Sequence, residues 1–195
     1  MRPDHTVSRL RSHLFAAAGY LALTLIVLVA VLRNFAAAIP GGKVAAIDGW
    51  QHVWHVWWTH RALSSGQNPF FTPLLFYPGG VDLGVHPLNV SNGLLAFPIT
   101  ALAGPIAGYN FAVILAFVMA GFGAYLLALE VGARPPAAFL AGIVLAFGPY
   151  HLTKLWDGQL ELIAVQWLPL YALALLRSRA GFLFLIHWRP VYCWR

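Results

Sequence analysis

Residues 48–61, DGWQHVWHVWWTHR, place an aspartate, three histidines and an arginine within one short segment. On a helix turning about 100° per residue, Asp48, His52, His55 and Thr59 fall within roughly 60° of one another. Trp50, Trp54, Trp57 and Trp58 take the opposite side. One face can therefore exchange protons and hydrogen bonds while the other is a slab of indole. Tryptophan gathers at membrane–water boundaries because its ring is amphipathic, so the segment is expected to lie on the bilayer surface, indole side toward lipid. Asp48 and Gln51 also have the spacing of a capping box, which would make Asp48 a helix N-cap. His52 and His55 are possible metal ligands, but H-x-x-H lacks the i,i+4 spacing and the glutamate of a zinc-protease helix. No metal site is assigned.

A second polar island, residues 150–161, carries Tyr150, His151, Lys154, Asp157, Gln159 and Glu161. Carboxylates close to a membrane are costly unless solvated, paired or functional. Lys154 can pair with Asp157 or Glu161. Catalysis by the two islands together requires Asp48 and Asp157 to reach one cavity.

The elements that must position these groups are membrane helices. Of 195 residues, 60% are hydrophobic and only 9% charged, whereas soluble domains carry about 25% charged residues. The net charge of +6 comes from twelve Lys and Arg residues that are scattered, mostly at the ends of apolar runs. That is a pattern of topology signals rather than a basic stripe for nucleic acid. A single cysteine, Cys193, excludes an intramolecular disulfide and a Cys-based zinc site.

The apolar runs predict an all-α, polytopic transmembrane bundle of about four spans, near residues 14–32, 108–129, 136–151 and 161–176. A loop over 34–92 carries the short amphipathic helix. The first run exceeds a signal-peptide core of roughly 7–15 residues, and Arg33 interrupts it before the A-x-A triplet at Ala36–Ala38. Pro69, Pro73, Pro78, Gly79 and Gly80 forbid a long helix in the loop. Residues 93–103 are apolar but too short to cross, and are expected to be re-entrant or interfacial. Residues 151–161 are expected to form a polar loop. With the N-terminus inside, Arg2, Arg9, Arg11, Arg134, Arg177 and Arg179 lie on the inner side. Arg33, Lys43, Arg61 and Lys154 lie outside over a longer length, so the positive-inside bias agrees. The expected location is the cell (inner) membrane, with both polar islands on the outer face.

Three passages carry a family resemblance: ALSSGQNPFFTPLLFYPGGVDLGVH, GLLAFPITALAGPIAGYN, and GAYLLALEVGARPPAAFLAGIVLAFGPYHLTKLWDGQLELIAVQWLPLYALALLR. In order, NPF…LFYPGG, GP…YN and GPY…GQ resemble bacterial multi-pass membrane glycosyltransferases of the GT-C type, over about residues 14–179. The resemblance implies transfer of a sugar from a polyprenyl-phosphate-linked donor at the outer membrane face. It implies an essential carboxylate soon after the first span, matched by Asp48, and a second in the next outer loop, matched most nearly by Asp157. A carboxylate can take the proton of an acceptor hydroxyl or hold it by a hydrogen bond. A phosphate leaving group needs cationic or metal stabilisation. Lys154, Arg61 and His55 are the side chains available for it, with His52 and Gln159 as further substrate contacts, and a divalent metal ion is a candidate cofactor. Such transferases usually have many more spans. Residues 1–179 are thus expected to be the N-terminal module of a longer protein, and 180–195 an unassigned tail of truncated or frame-shifted origin. The rival expectations are a non-catalytic assembly partner or transporter component, and an inactive fragment. Charge-free spans with polar groups gathered outside argue against a transport path.

Overall fold

The computed structural model describes residues 4–41, 43 and 48–186, with side chains from Leu10 to Ser178. It is an all-α membrane bundle. Helices α1 (Asp4–Val27) and α2 (Val29–Leu32) are followed by α3 (Asp48–Ser64). A loop then carries a two-stranded pair, β1 (Phe71–Thr72) and β2 (Val81–Asp82). After it come α4 (Val90–Ala103), α5 (Pro105–Glu130), α6 (Pro135–Phe147), α7 (Pro149–Asp157), α8 (Leu160–Ile163) and α9 (Trp167–Ile186). Residues 187–195 of the tail lie outside the described residues.

Among the described residues, four stretches are long and apolar enough to cross a membrane: Leu10–Val27, Pro105–Glu130, Pro135–Asp157 and Leu160–Ser178. Helix α5 is the central post, packed by α1, α3, α4, α6 and α9. Small residues let its neighbours approach closely, as helix association in lipid requires. Tyr20 of α1 is fully buried in a notch between Gly121 of α5 and Gly142 of α6. A Cβ on Gly142 would collide with the Tyr20 hydroxyl and the Gly121 carbonyl. The Tyr20 ring stacks on Phe139, and its hydroxyl donates to the Phe139 carbonyl at 2.9 Å. The α5–α6 turn closes on Gly132, whose φ of 95° suits glycine, and Pro135 opens α6 with its fixed φ. There Arg177 Nε donates to Glu130 Oε2 at 3.0 Å and ties α9 to α5.

Helix α4 has 14 residues and ends at Gly104, φ 87°. At 1.5 Å per residue it reaches about 21 Å, short of a crossing. It folds back against α5 and α3.

Two expectations are corrected. Residues 151–161 are not a loop. Gly148 and Pro149 interrupt the third span and start α7, and Gly158 ends α7 in the left-handed conformation at φ 75°. The polar groups here lie on a helical framework. Nor is the indole face of α3 bare toward lipid. Trp58 is 1% exposed and donates from Nε1 to the Pro69 carbonyl at 3.0 Å, while Trp54 stacks on it, centroids 6.0 Å apart. Leu83 and Val81 of the following loop cover this cluster, leaving Trp50 as the exposed indole. The loop buries more apolar area by packing on these rings than it would as a free excursion.

Candidate functional site

At the end of the bundle that carries α3, two rungs join helix α3 to the α7–α8 turn. The first begins at Asp48, the first residue of α3. Gln159 Nε2 donates to Asp48 Oδ2 at 2.8 Å, and Gln159 Oε1 accepts from Lys154 Nζ at 2.9 Å. Lys154 Nζ also donates to Asp157 Oδ2 at 3.1 Å. Asp48 and Asp157 are thereby linked through one amide and one ammonium. The backbone explains the arrangement. The left-handed Gly158 turns the chain so that the Gln159 N–H reaches the Lys154 carbonyl at 3.1 Å, which sets Lys154, Asp157 and Gln159 on one patch. Tyr109 of α5, fully buried, donates its hydroxyl to the Gly158 carbonyl at 3.1 Å and fixes the turn. The Lys154 and Asp157 side chains keep 22% and 33% of their surface. This patch is open enough to meet a ligand and too exposed for its ion pair to contribute much stability.

The second rung lies one turn along α3, where His52 Nε2 meets Glu161 Oε2. His52 is buried at 1% exposed, and His55 follows at 5% with its ring centroid 5.4 Å from that of His52. Burial pushes the His55 pKa down to about 4, helped by His52 and His86 and opposed by Glu161. His55 is therefore neutral at physiological pH, which corrects its candidacy as a cation for a phosphate. Thr59, Asn92 and Gln166 continue this buried polar seam, and Gln166 Nε2 donates to Asn92 Oδ1 at 2.8 Å.

Arg61 stands apart. It lies exposed over the Trp57 ring at 5.5 Å, thirteen residues along α3 from Asp48 or about 20 Å of helix. Of the proposed contacts, Asp48, Asp157, Lys154 and Gln159 come together, and His52 and His55 line the adjoining rung. Among the described residues, no group of three or more His, Cys, Asp or Glu is placed to hold a metal ion.

Lys154 Nζ also sits 5.9 Å from the centroid of the Tyr150 ring. Tyr150 lines an open apolar groove of about 720 Å³ that follows α6 past Leu140, Val144 and Gly148. An apolar groove with an ammonium beside one of its lining rings suits an amphiphile with an anionic head.

Sequence reasoning missed the partners more than the residues. The Glu161–His52 contact and the Asn92–Gln166 pair join segments far apart in the chain. Their signal was available: a polar side chain inside an apolar run needs a partner, and Asn92, Asn110 and Gln166 are such residues. Asn110 donates to the Phe35 and Ala38 carbonyls, 2.7 Å each, at the turn after α2. Comparison with protein-family models, with curated proteins and with solved structures gives no match.

Proposed function

We propose that this chain is a membrane glycosyltransferase module of the GT-C type, which transfers a sugar from a polyprenyl-phosphate-linked donor at the membrane face that carries Asp48. The observation that carries this reading is the Asp48–Gln159–Lys154–Asp157 network, whose ammonium lies beside Tyr150 of the apolar groove. The groove takes the lipid chain, and the Lys154 ammonium balances phosphate charge as it develops on the leaving group. Asp48 accepts the hydrogen bond, and then the proton, of the attacking hydroxyl. Gln159 holds both groups in register. Arg11, Arg134 and Arg177 lie at the opposite end, and the positive-inside rule favours a cytoplasmic side there, with Asp48 on the outer face of the cell membrane.

The test is transfer from labelled polyprenyl-phosphate sugars in membranes bearing the chain, beside an Asp48→Asn variant. Activity in the parent that the variant loses supports the reading. Equal activity in both removes Asp48 from the site.

One observation favours a second reading, a transporter component. The third and fourth spans are interrupted, at Gly148–Pro149 and at residues 164–166, next to buried Asn92 and Gln166. Broken helices flanking polar groups are a mark of transport sites. Uptake of a lipid-linked or free sugar into proteoliposomes, without transfer, would select it.

A further inference from the structure

Beside the second rung lies a cleft of about 370 Å³ that the network above does not use. It is lined by Phe70 of the loop, the 86–91 segment and Glu161. The size falls within the range of about 300–1,000 Å³ seen for small-molecule pockets. We infer that this cleft binds a neutral polyhydroxylated ligand, a sugar ring, with Glu161 as the hydrogen-bond acceptor and Phe70 as the stacking surface.

The argument starts at Glu161. Its carboxylate is 27% exposed, and the buried His52 holds it from behind. One oxygen, Oε2, is shut away against His52. What the cleft meets is a carboxylate fixed in place, a group that only accepts hydrogen bonds when ionised. An anion is disfavoured by its charge. A wholly apolar occupant is disfavoured because it would desolvate the carboxylate without giving it a donor. A divalent cation would need more ligands, and no such group of three forms among the described residues. Among neutral donors, a hydroxyl gives the carboxylate a short bond and leaves its charge solvated by the rest of the ligand.

Phe70 supplies the other half of recognition. It is 47% exposed despite its apolar ring. A pyranose presents hydroxyls at its edge and C–H bonds on its face, so one ring can meet a carboxylate and a phenyl group together. Ser91 and Asn89 line the same cleft, with the Ser91 hydroxyl donating to Asn89 Oδ1 at 2.9 Å. That bond orients the Ser91 oxygen as an acceptor for a second hydroxyl. His86, exposed on the rim, adds a ring nitrogen.

The cleft adjoins the Asp48 network. Asp48 and His52 are one turn apart on α3, and Gln159 and Glu161 are two residues apart on the opposing side. As an acceptor-sugar subsite the inference rests on the proposed transferase reading. As a sugar-binding cleft it stands on its lining.

The experiment is saturation-transfer NMR with methyl α-mannopyranoside and methyl β-glucopyranoside, on the full chain in lipid nanodiscs free of sugar detergents. Phe70→Ala, at an exposed position, leaves the bundle intact, and Glu161→Gln removes the charge while keeping the shape. Saturation of the pyranose protons is expected for the parent, falling about tenfold in both variants. Asp48→Asn is expected to abolish sugar transfer yet keep the saturation signal, so the two readings fail separately. No saturation from either glycoside, or equal signal in Phe70→Ala, Glu161→Gln and parent, overturns the inference.

Discussion

His151 bridges the two broken spans: its Nδ1 lies 2.6 Å from the Ala146 carbonyl and its Nε2 2.7 Å from the carbonyl of Ile163. The ring is 2% exposed and stacks on Phe117, centroids 4.2 Å apart. Carbonyls at helix ends have no intrahelical partner, and in a membrane protein no bulk water replaces it. Each tautomer of the ring has one N–H, so His151 donates to one of these carbonyls and sits against the other, tying the two interruptions together with one side chain. His151→Leu keeps the volume and removes both contacts. A loss of about 2–4 kcal/mol is expected, read as a lower thermal midpoint in detergent. Faster amide exchange should be confined to residues around 146–166. Uniform exchange across the chain would show that the ring is not the local clamp.

Gln159 is predicted to matter more for activity than for stability. Gln159→Ala leaves Asp48 without its partner at a half-open position, at a cost of about 1 kcal/mol. The carboxylate and the Lys154 ammonium then lose their common register, which is expected to lower sugar transfer about a hundredfold. The check is a transfer assay with the thermal midpoint measured on the same preparation. Parallel small losses in both would make Gln159 a structural strut only.

Stability should fall with acidity because of His55. Its folded-state pKa is about 4, below the ordinary value of 6.5. Between these values the unfolded chain binds a proton at this ring that the folded protein refuses, so stability declines as pH drops from 6.5 to 4. Above that window the ring is neutral in both states and contributes nothing. The expected loss reaches about 3 kcal/mol. His52, His86 and Glu161 surround the ring. His55→Gln is expected to flatten the thermal-midpoint profile across this window, and an unchanged slope would assign the effect to another group.

The notch around Tyr20 predicts sharp sensitivity to a single methyl. Gly142→Ala drives a Cβ into the Tyr20 hydroxyl and the Gly121 carbonyl, where α1, α5 and α6 meet. Overpacking of this kind costs about 1–3 kcal/mol. Gly79→Ala is the control, since its nearest neighbour is the Phe76 carbonyl at 3.8 Å. Thermal unfolding of the two variants should separate them clearly.

The bundle was legible because its signals are local. Charge-free runs, Arg134-Pro135 at a turn and Gly104-Pro105 at a hairpin each report on their own neighbourhood. The expected first span of 14–32 differs from Leu10–Val27 because Leu28 breaks α1 from α2, with no residue type to announce it. Residues 151–161 read as a loop because their polarity outweighs a nine-residue helical period, and helix propensity is a weak prior at that length. The Asp48–Lys154–Asp157 grouping could be posed from sequence but not solved. Which side chains meet across the bundle depends on helix rotation, which composition does not encode. The lipid-facing reading of the indoles failed for a related reason. Amphipathicity tells that Trp54, Trp57 and Trp58 need cover, not that Leu83 and Pro69 supply it.

The bond between Asp48 and Gln159 joins residues 111 positions apart. A ribosome adding about 5–20 residues per second delivers Gln159 on the order of ten seconds after Asp48. Through that interval the first helices are already in the bilayer while the aspartate waits without its amide. The site is thus joined only once the third span has been made, and a chain stalled before residue 159 would leave the aspartate at the membrane with no amide to meet.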